Sequence, residues 1–145
     1  MTSAIRSGRG GPQGAACADV TMVPVAVDQR EAYLAFEKRM AEVYRDHGAT
    51  QVTHYWHSGP PARQEDYHAT GAAPASASPG LAGVVGAGPG EAVVVTVTQW
   101  PSRAARDRGT AAATSHPRVL ATLDEEPVFD GRRVIGETFE VVSRP

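Results

Sequence analysis

The stretch Ala92-Val93-Val94-Val95-Thr96-Val97-Thr98-Gln99-Trp100 decides how the rest of the chain is read. These nine residues, almost all β-branched or aromatic, run from Glu91 to Pro101 without a charge between them. Such a run is too short for a typical helix and apolar on both of its alternating faces, which predicts a central strand covered on both sides. Pro101 ends it, and Ser102 is placed to cap a helix starting at Arg103. Gly109 costs that helix about 1 kcal/mol relative to alanine. Together with Ala104, Ala105, Ala112 and Ala113, it marks a face that another backbone approaches closely. His116-Pro117 closes the helix, with His116 capping its end, and Val119 to Pro127 makes short turns.

Upstream, Val20-Thr21-Met22-Val23-Pro24-Val25 reads as a first strand, with Pro24 near its end where a missing N–H matters least. Asp28 and Glu31 have the spacing of a capping box. Behind them Tyr33, Phe36, Met40, Val43 and His47 recur at helical steps, giving one apolar face of a helix that Gly48 terminates. Thr50 to Ser58, rich in Thr, Val, Tyr and Trp, predicts a second strand, stopped by Gly59-Pro60-Pro61. Residues 69–90 are almost wholly Ala, Gly, Ser and Pro, apart from Leu81, Val84 and Val85, and read as a long mobile loop. Phe129-Asp130-Gly131 turns into a last strand from Arg132 to Val142.

The order is therefore βαββαβ. Two split βαβ units give an α+β fold of the ferredoxin-like type, a four-stranded antiparallel sheet with both helices on one face. The other face is apolar and needs a cover. Pairing two sheets about a two-fold axis supplies it, so a homodimer is expected. The domain is expected to span 18–145, with residues 1–17 a disordered leader and a flexible loop at 59–90.

Bulk composition narrows the functional classes. The 145 residues carry a formal net charge of -2, and Lys38 is the only lysine. No basic stripe follows a phosphate backbone, so nucleic acid is not an expected partner. The single cysteine, Cys17, rules out an intrachain disulfide and a Cys-pair metal site. No apolar run approaches the roughly 20 residues of a membrane span. A cytoplasmic protein without a membrane partner is expected.

Several motifs resemble one bacterial family. They are Pro101-Ser102-Arg103-Ala104-Ala105-Arg106-Asp107, His116-Pro117-Arg118, Phe129-Asp130-Gly131-Arg132-Arg133-Val134-Ile135, and the helix end Tyr44-Arg45-Asp46-His47-Gly48-Ala49. The chain is similar, over about 20–142, to the YbaA-like proteins, a domain of unknown function placed among the dimeric α/β barrels. The resemblance implies the fold and a dimer but no mechanism. The chain departs from the family in its Ala/Gly/Pro loop, at His54, where an acidic residue is usual, and around Glu137, where glycines are.

Candidate chemistry starts with histidine, which titrates near neutrality. His54 and His57 are three apart on one strand and so take opposite faces, which argues against a two-His metal site. His54 shares a face with Trp56, and the two would form an acid–base and aromatic wall between sheet and helices. His47 suits the C-terminal end of a helix dipole, and His68 lies in the loop. Glu137 shares a face with Ile135, Phe139 and Val141, where desolvation would raise its pKa and suit it as a base. Gln99 would donate to a substrate carbonyl or oxyanion. His54, Glu137 and Gln99 are thus the candidate catalytic residues. Trp56, Tyr55, Trp100 and Arg133 are the candidate substrate contacts, Arg133 as a clamp for an anionic ligand or for a carboxylate across a dimer. No phosphate loop, nucleophile elbow or zinc motif is present, and no cofactor is expected.

By analogy with its fold class, the expected function is an enzyme acting without metal or nucleotide on an aromatic or polyketide-like small molecule, as a monooxygenase, cyclase or isomerase. A non-catalytic small-molecule-binding or stress-related protein is the alternative, and a structural dimerisation module the third.

Overall fold

The computed structural model describes residues 14–57 and 80–145. The leader to residue 13, and the segment 58–79 with Gly59-Pro60-Pro61, His68 and most of the Ala/Gly/Pro loop, lie outside the described residues. The elements in chain order are β1 (Cys17–Ala26), α1 (Arg30–Asp46), β2 (Gln51–Trp56), α2 (Gly80–Val85), β3 (Glu91–Trp100), α3 (Arg103–Thr114), α4 (Pro117–Ala121) and β4 (Ile135–Glu140). The strands form one sheet in the order β2-β3-β1-β4. All three pairings are antiparallel. This is the ferredoxin-like α+β arrangement, with β3 and β1 central. Pro24 sits beyond the last β1–β4 pair, Met22 opposite Ile135, so its missing N–H costs no bond on the β4 side.

The register fixes two faces. Asp19 stands opposite Thr98 and Thr138, Thr21 opposite Thr96 and Gly136, and His54 opposite Thr96. These side chains share the face under α1 and α3. Gln99, Tyr55, Glu137 and Phe139 belong to the other face by strand alternation. The helix-side core has two clusters. Val23, Val25, Tyr33 and Val94 pack with Trp56, Val128 and Phe129. Cys17, Ala49 and Trp100 pack with Tyr44 and Val52.

The termini of the helices carry the local chemistry. At the end of α1, Gly48 takes φ +112°, a backbone region costly for a residue with a Cβ. Gly48 N–H donates to the Arg45 carbonyl and Ala49 N–H to that of Tyr44 at 3.0 Å, a complete Schellman cap. The start of α1 differs from the capping-box expectation. A 3-10 turn, Val27–Gln29, takes up Asp28, and the helix begins at Arg30 behind Gln29 with no side-chain cap. Ser102 does cap α3, accepting from Ala105 N–H at 3.0 Å. His116 does not cap the end of α3. It opens α4, its Nδ1 accepting from Arg118 N–H at 3.0 Å with Pro117 in the first turn.

Within the expected loop, Gly80–Val85 forms a short helix that docks through the buried Val85, while Leu81 and Val84 stay exposed. The last strand starts at Ile135 and not at Arg132, since Gly131–Arg133 closes a 3-10 turn capped by Asp130. Gly109 explains the small-residue face of α3. A Cβ there would lie 2.3 Å from Trp100 Cζ3 and 2.6 Å from the His47 carbonyl oxygen.

Candidate functional site

Between the sheet and the helices α1, α3 and α4 lies an open-sided cavity of about 560 Å³, within the ~300–1,000 Å³ that small-molecule sites occupy. Phe36, Tyr44 and Phe129 give it aromatic walls, and strand threonines give it a hydroxylated floor.

Its acid–base group is Glu37. The residue stands four after Tyr33 and three before Met40, inside the apolar stripe of α1, so the helix that buries its hydrophobic face turns this carboxylate inward too, leaving its side chain 16% exposed. Burial pushes the Glu37 carboxyl up to about 7, and the Tyr33 hydroxyl pulls it back only weakly. The Tyr33 hydroxyl faces both Glu37 and Thr96, and burial drives its own pKa upward. His54 sits behind this group. Its Nδ1 is hydrogen-bonded to Thr96 Oγ1 at 3.0 Å. Its Nε2 lies 3.9 Å from Glu37 Oε2, and is buried without a hydrogen-bond partner among the described residues. Burial lowers the His54 pKa. Desolvation therefore disfavours charge on both members, so near pH 7 His54 favours its neutral form and Glu37 is divided between acid and carboxylate.

A second polar group closes the other end. Asp19 accepts from Trp100 Nε1 at 3.1 Å, from Arg106 Nε at 3.0 Å and from Thr138 Oγ1 at 2.6 Å. Arg106 also donates from Nη1 to Asp107 at 3.1 Å. Arg106 and Thr110, one turn apart on α3, both line the cavity. Thr110 Oγ1 is buried and unpartnered among the described residues. Among those residues, no cluster of three or more His, Cys, Asp or Glu side chains is placed to hold a metal ion.

The residues singled out from sequence do not form one constellation. His54 and Trp56 point to the helices, where Tyr33 packs 6.4 Å from Trp56 and the Arg30 guanidinium lies 5.2 Å over its ring. Trp100 is buried in the same layer and stacks edge-on with Tyr44, 6.2 Å between centroids. Gln99 and Tyr55 lie on the opposite face, and Glu137 reaches the cavity only at the β4 rim. Arg133 is committed within the chain, donating to both Glu91 oxygens at 2.7 and 2.9 Å and to the Gly86 carbonyl at 2.7 Å. His47 Nδ1 donates to the Val43 carbonyl at 2.9 Å. Sequence reading passed over Glu37, Asp19 and Thr110. The signal for Glu37 was present, a lone carboxylate at the helical step of an apolar stripe.

Fold and cavity together define a ferredoxin-like α+β protein with a buried carboxyl group facing a space of ligand size. The family described as "Protein of unknown function (DUF1428)" matches residues 17–131, and the chain belongs to that family. It is 26% identical over 125 residues to the "Uncharacterized protein YbaA" of Escherichia coli K12, covering 86% of this chain and 94% of the relative. The same identity and coverage hold for YbaA of Shigella flexneri. The resemblance carried by the Pro101–Asp107 and Phe129–Ile135 motifs is thus a family relationship. Among solved structures, "Structure of Rv0793 from Mycobacterium tuberculosis" is similar at a TM-score of 0.48 and 16% identity, over 90% of this chain and 98% of that one.

Proposed function

We propose that this protein is a homodimeric cytoplasmic enzyme that moves a proton on an aromatic or polyketide-like small molecule, with Glu37 as the acid–base group. The observation that supports this most is the buried Glu37 carboxyl, pushed up to about 7 inside the cavity. A general base works best with a pKa near the working pH, and burial is what carries the Glu37 carboxyl into that range. A shift of more than about one unit at a buried group suits catalysis better than packing. His54 is a positioning residue in this account. It backs Glu37 at 3.9 Å, and neutral it leaves the proton where a ligand would meet it. The aromatic walls suit a flat, apolar ligand body. The chemistry assigned here calls on no metal or nucleotide.

The test is proton exchange. Purified protein is incubated in D2O with aryl ketones and phenolic polyketide-like carbon acids, and deuterium incorporation is followed by mass spectrometry. The wild type is expected to label at least one compound class, and Glu37→Gln to lose roughly 10²–10⁴-fold of that rate, the usual worth of a general base. Equal labelling by Glu37→Gln would remove Glu37 from the mechanism. Binding without any labelling would leave a small-molecule-binding protein instead.

The dimer rests on the outer sheet face. Val20, Met22, Val95 and Val97 lie there by alternation, beside Ile135 and a Phe139 that is 53% exposed. Two such faces meeting about a two-fold axis would cover one another.

A further inference from the structure

The segment from Thr122 to Pro127 has a hollow on each side. Inward, Thr122 lines the cavity together with Phe36 and Phe129. Outward, the same three residues border a second, open groove of about 230 Å³, along which Leu123, Pro127 and Val128 lie. That groove is smaller than the ~300 Å³ of a ligand site, but it leaves the segment unpacked on its outer side. The segment is also thinly tied. Leu123 to Pro127 are all exposed. No backbone–backbone hydrogen bond joins Glu126, Pro127, Val128 or Phe129 to another described residue. The two ends are held better. On one side Val128 and Phe129 pack on the Tyr33 cluster, with Phe129 edge-on to Tyr33 at 5.6 Å and to Phe36 at 5.9 Å. On the other, α4 is capped by His116 and sets Val119 into the cavity wall. Between these ends, Glu125 ties the segment to α1, accepting from Arg39 Nη1 and Nη2 at 2.9 Å each. The Arg39 guanidinium stands 5.7 Å over the Phe36 ring, so the tie closes above the wall that the two hollows share. Its side chains are 45% and 42% exposed. A pair in that setting is weak and screened by salt. Stretches with few buried contacts and few backbone bonds are the first to open locally.

We propose that Thr122 to Pro127 is the gate of the cavity, latched by the Arg39–Glu125 pair, and that it swings off Phe36 to admit a flat, neutral aromatic molecule through the outer groove. The inference deepens the proposed function and rests on its claim that the cavity holds a small aromatic molecule. The movement asks nothing of the sheet or of α1. Phe36 and Phe129 stay in place as the posts of the doorway, and the segment pivots between Val119 and Val128. Glu125 and Glu126 border the outer groove, so an opened gate presents negative charge and disfavours an anionic ligand. The latch closes over the empty and the filled cavity alike. It therefore sets how fast a ligand enters and leaves, while its effect on the dissociation constant cancels.

The experiment follows 6-propionyl-2-(dimethylamino)naphthalene, a neutral aryl ketone whose fluorescence reports polarity, by stopped flow with the full chain at low and high salt. Association and dissociation rates of the wild type are expected to rise together with salt, by about two- to fivefold, the range an exposed ion pair can supply. Arg39→Gln and Glu125→Gln are each expected to reach those rates at low salt, to lose the salt response, and to keep the dissociation constant and melting temperature of the wild type. The reverse test locks the gate. Arg39→Cys and Glu125→Cys are combined and bridged with a short bismaleimide, the native Cys17 being buried. Bridging is expected to slow both rates by about tenfold or more. A segment that is merely part of the wall would not move both rates in step. Rates indifferent to salt and to both glutamine variants, a bridged protein that exchanges the probe as fast as the unbridged one, or variants that change the dissociation constant through release alone would overturn the gate while leaving the ligand cavity standing. Failure of the probe to bind the wild type would overturn the ligand cavity and the gate with it.

Discussion

The Nε2 of His54 stands 3.9 Å from the Glu37 carboxylate, yet burial favours the neutral form of both residues. An ion pair at that spacing would need further hydrogen bonds to offset the loss of hydration, and Nε2 has no hydrogen-bond partner among the described residues. The contact holds a proton near neutral pH and contributes little as a salt bridge.

This arrangement has a cost with a defined sign. Folding raises the Glu37 pKa from the usual 4.5 to about 7. Below pH 4.5 both folded and unfolded chains hold the proton, and nothing is lost. Between 4.5 and 7 the unfolded chain ionises first, so stability falls, by on the order of 3 kcal/mol by the top of that window. His54 acts oppositely. Its lowered pKa withholds stability below about 6.5. Denaturant unfolding of wild type and Glu37→Gln between pH 4.5 and 7.5 separates the two. The variant is expected to gain stability relative to wild type as pH rises and to keep the His54 slope.

Gly109→Ala is expected to destabilise the fold by about 2–4 kcal/mol, although alanine improves the helix itself by about 1 kcal/mol. The new methyl would meet the fully buried Trp100 indole and the backbone carbonyl of His47. Thermal melting of Gly109→Ala beside Ala112→Gly, which loses helix propensity without that clash, measures the difference.

Phe139→Asp is expected to convert a dimer to monomers in light scattering, with the melting temperature of the monomer fold changed little. Phe139 is on the exposed sheet face and outside both helix-side core clusters. A wild type that elutes as a monomer would refute the proposed assembly.

Much of the fold was legible because each cue is local. The valine run of β3, the periodic stripe of α1, the left-handed Gly48 and the Ser102 cap are each set within a few residues of chain. The site was less legible for two physical reasons. Alternation shows that His54 and Trp56 share a face, and separately that Gln99 and Glu137 lie on faces of their own strands. Only the inter-strand register shows that His54 opposes Thr96 while Gln99 and Glu137 look the other way. Glu37 was hidden for the opposite reason. A carboxylate amid helix-surface charges, beside Lys38 and Arg39, reads as solvated until the helix is docked. Arg133 offered a free cation in sequence, but the turn of Gly131–Arg133 delivers it to Glu91.

The most direct test of the account is the titration of Glu37 itself. The carboxyl carbon shift is followed by NMR in protein labelled at glutamate, with Glu37→Gln assigning the resonance. A midpoint near 7 is predicted for Glu37, while Glu42, Glu91 and Glu125, each paired with an arginine, titrate below the usual carboxylate range. A Glu37 midpoint near 4.5 would mean that water reaches the carboxylate freely, and the acid–base role assigned to this cavity would be wrong.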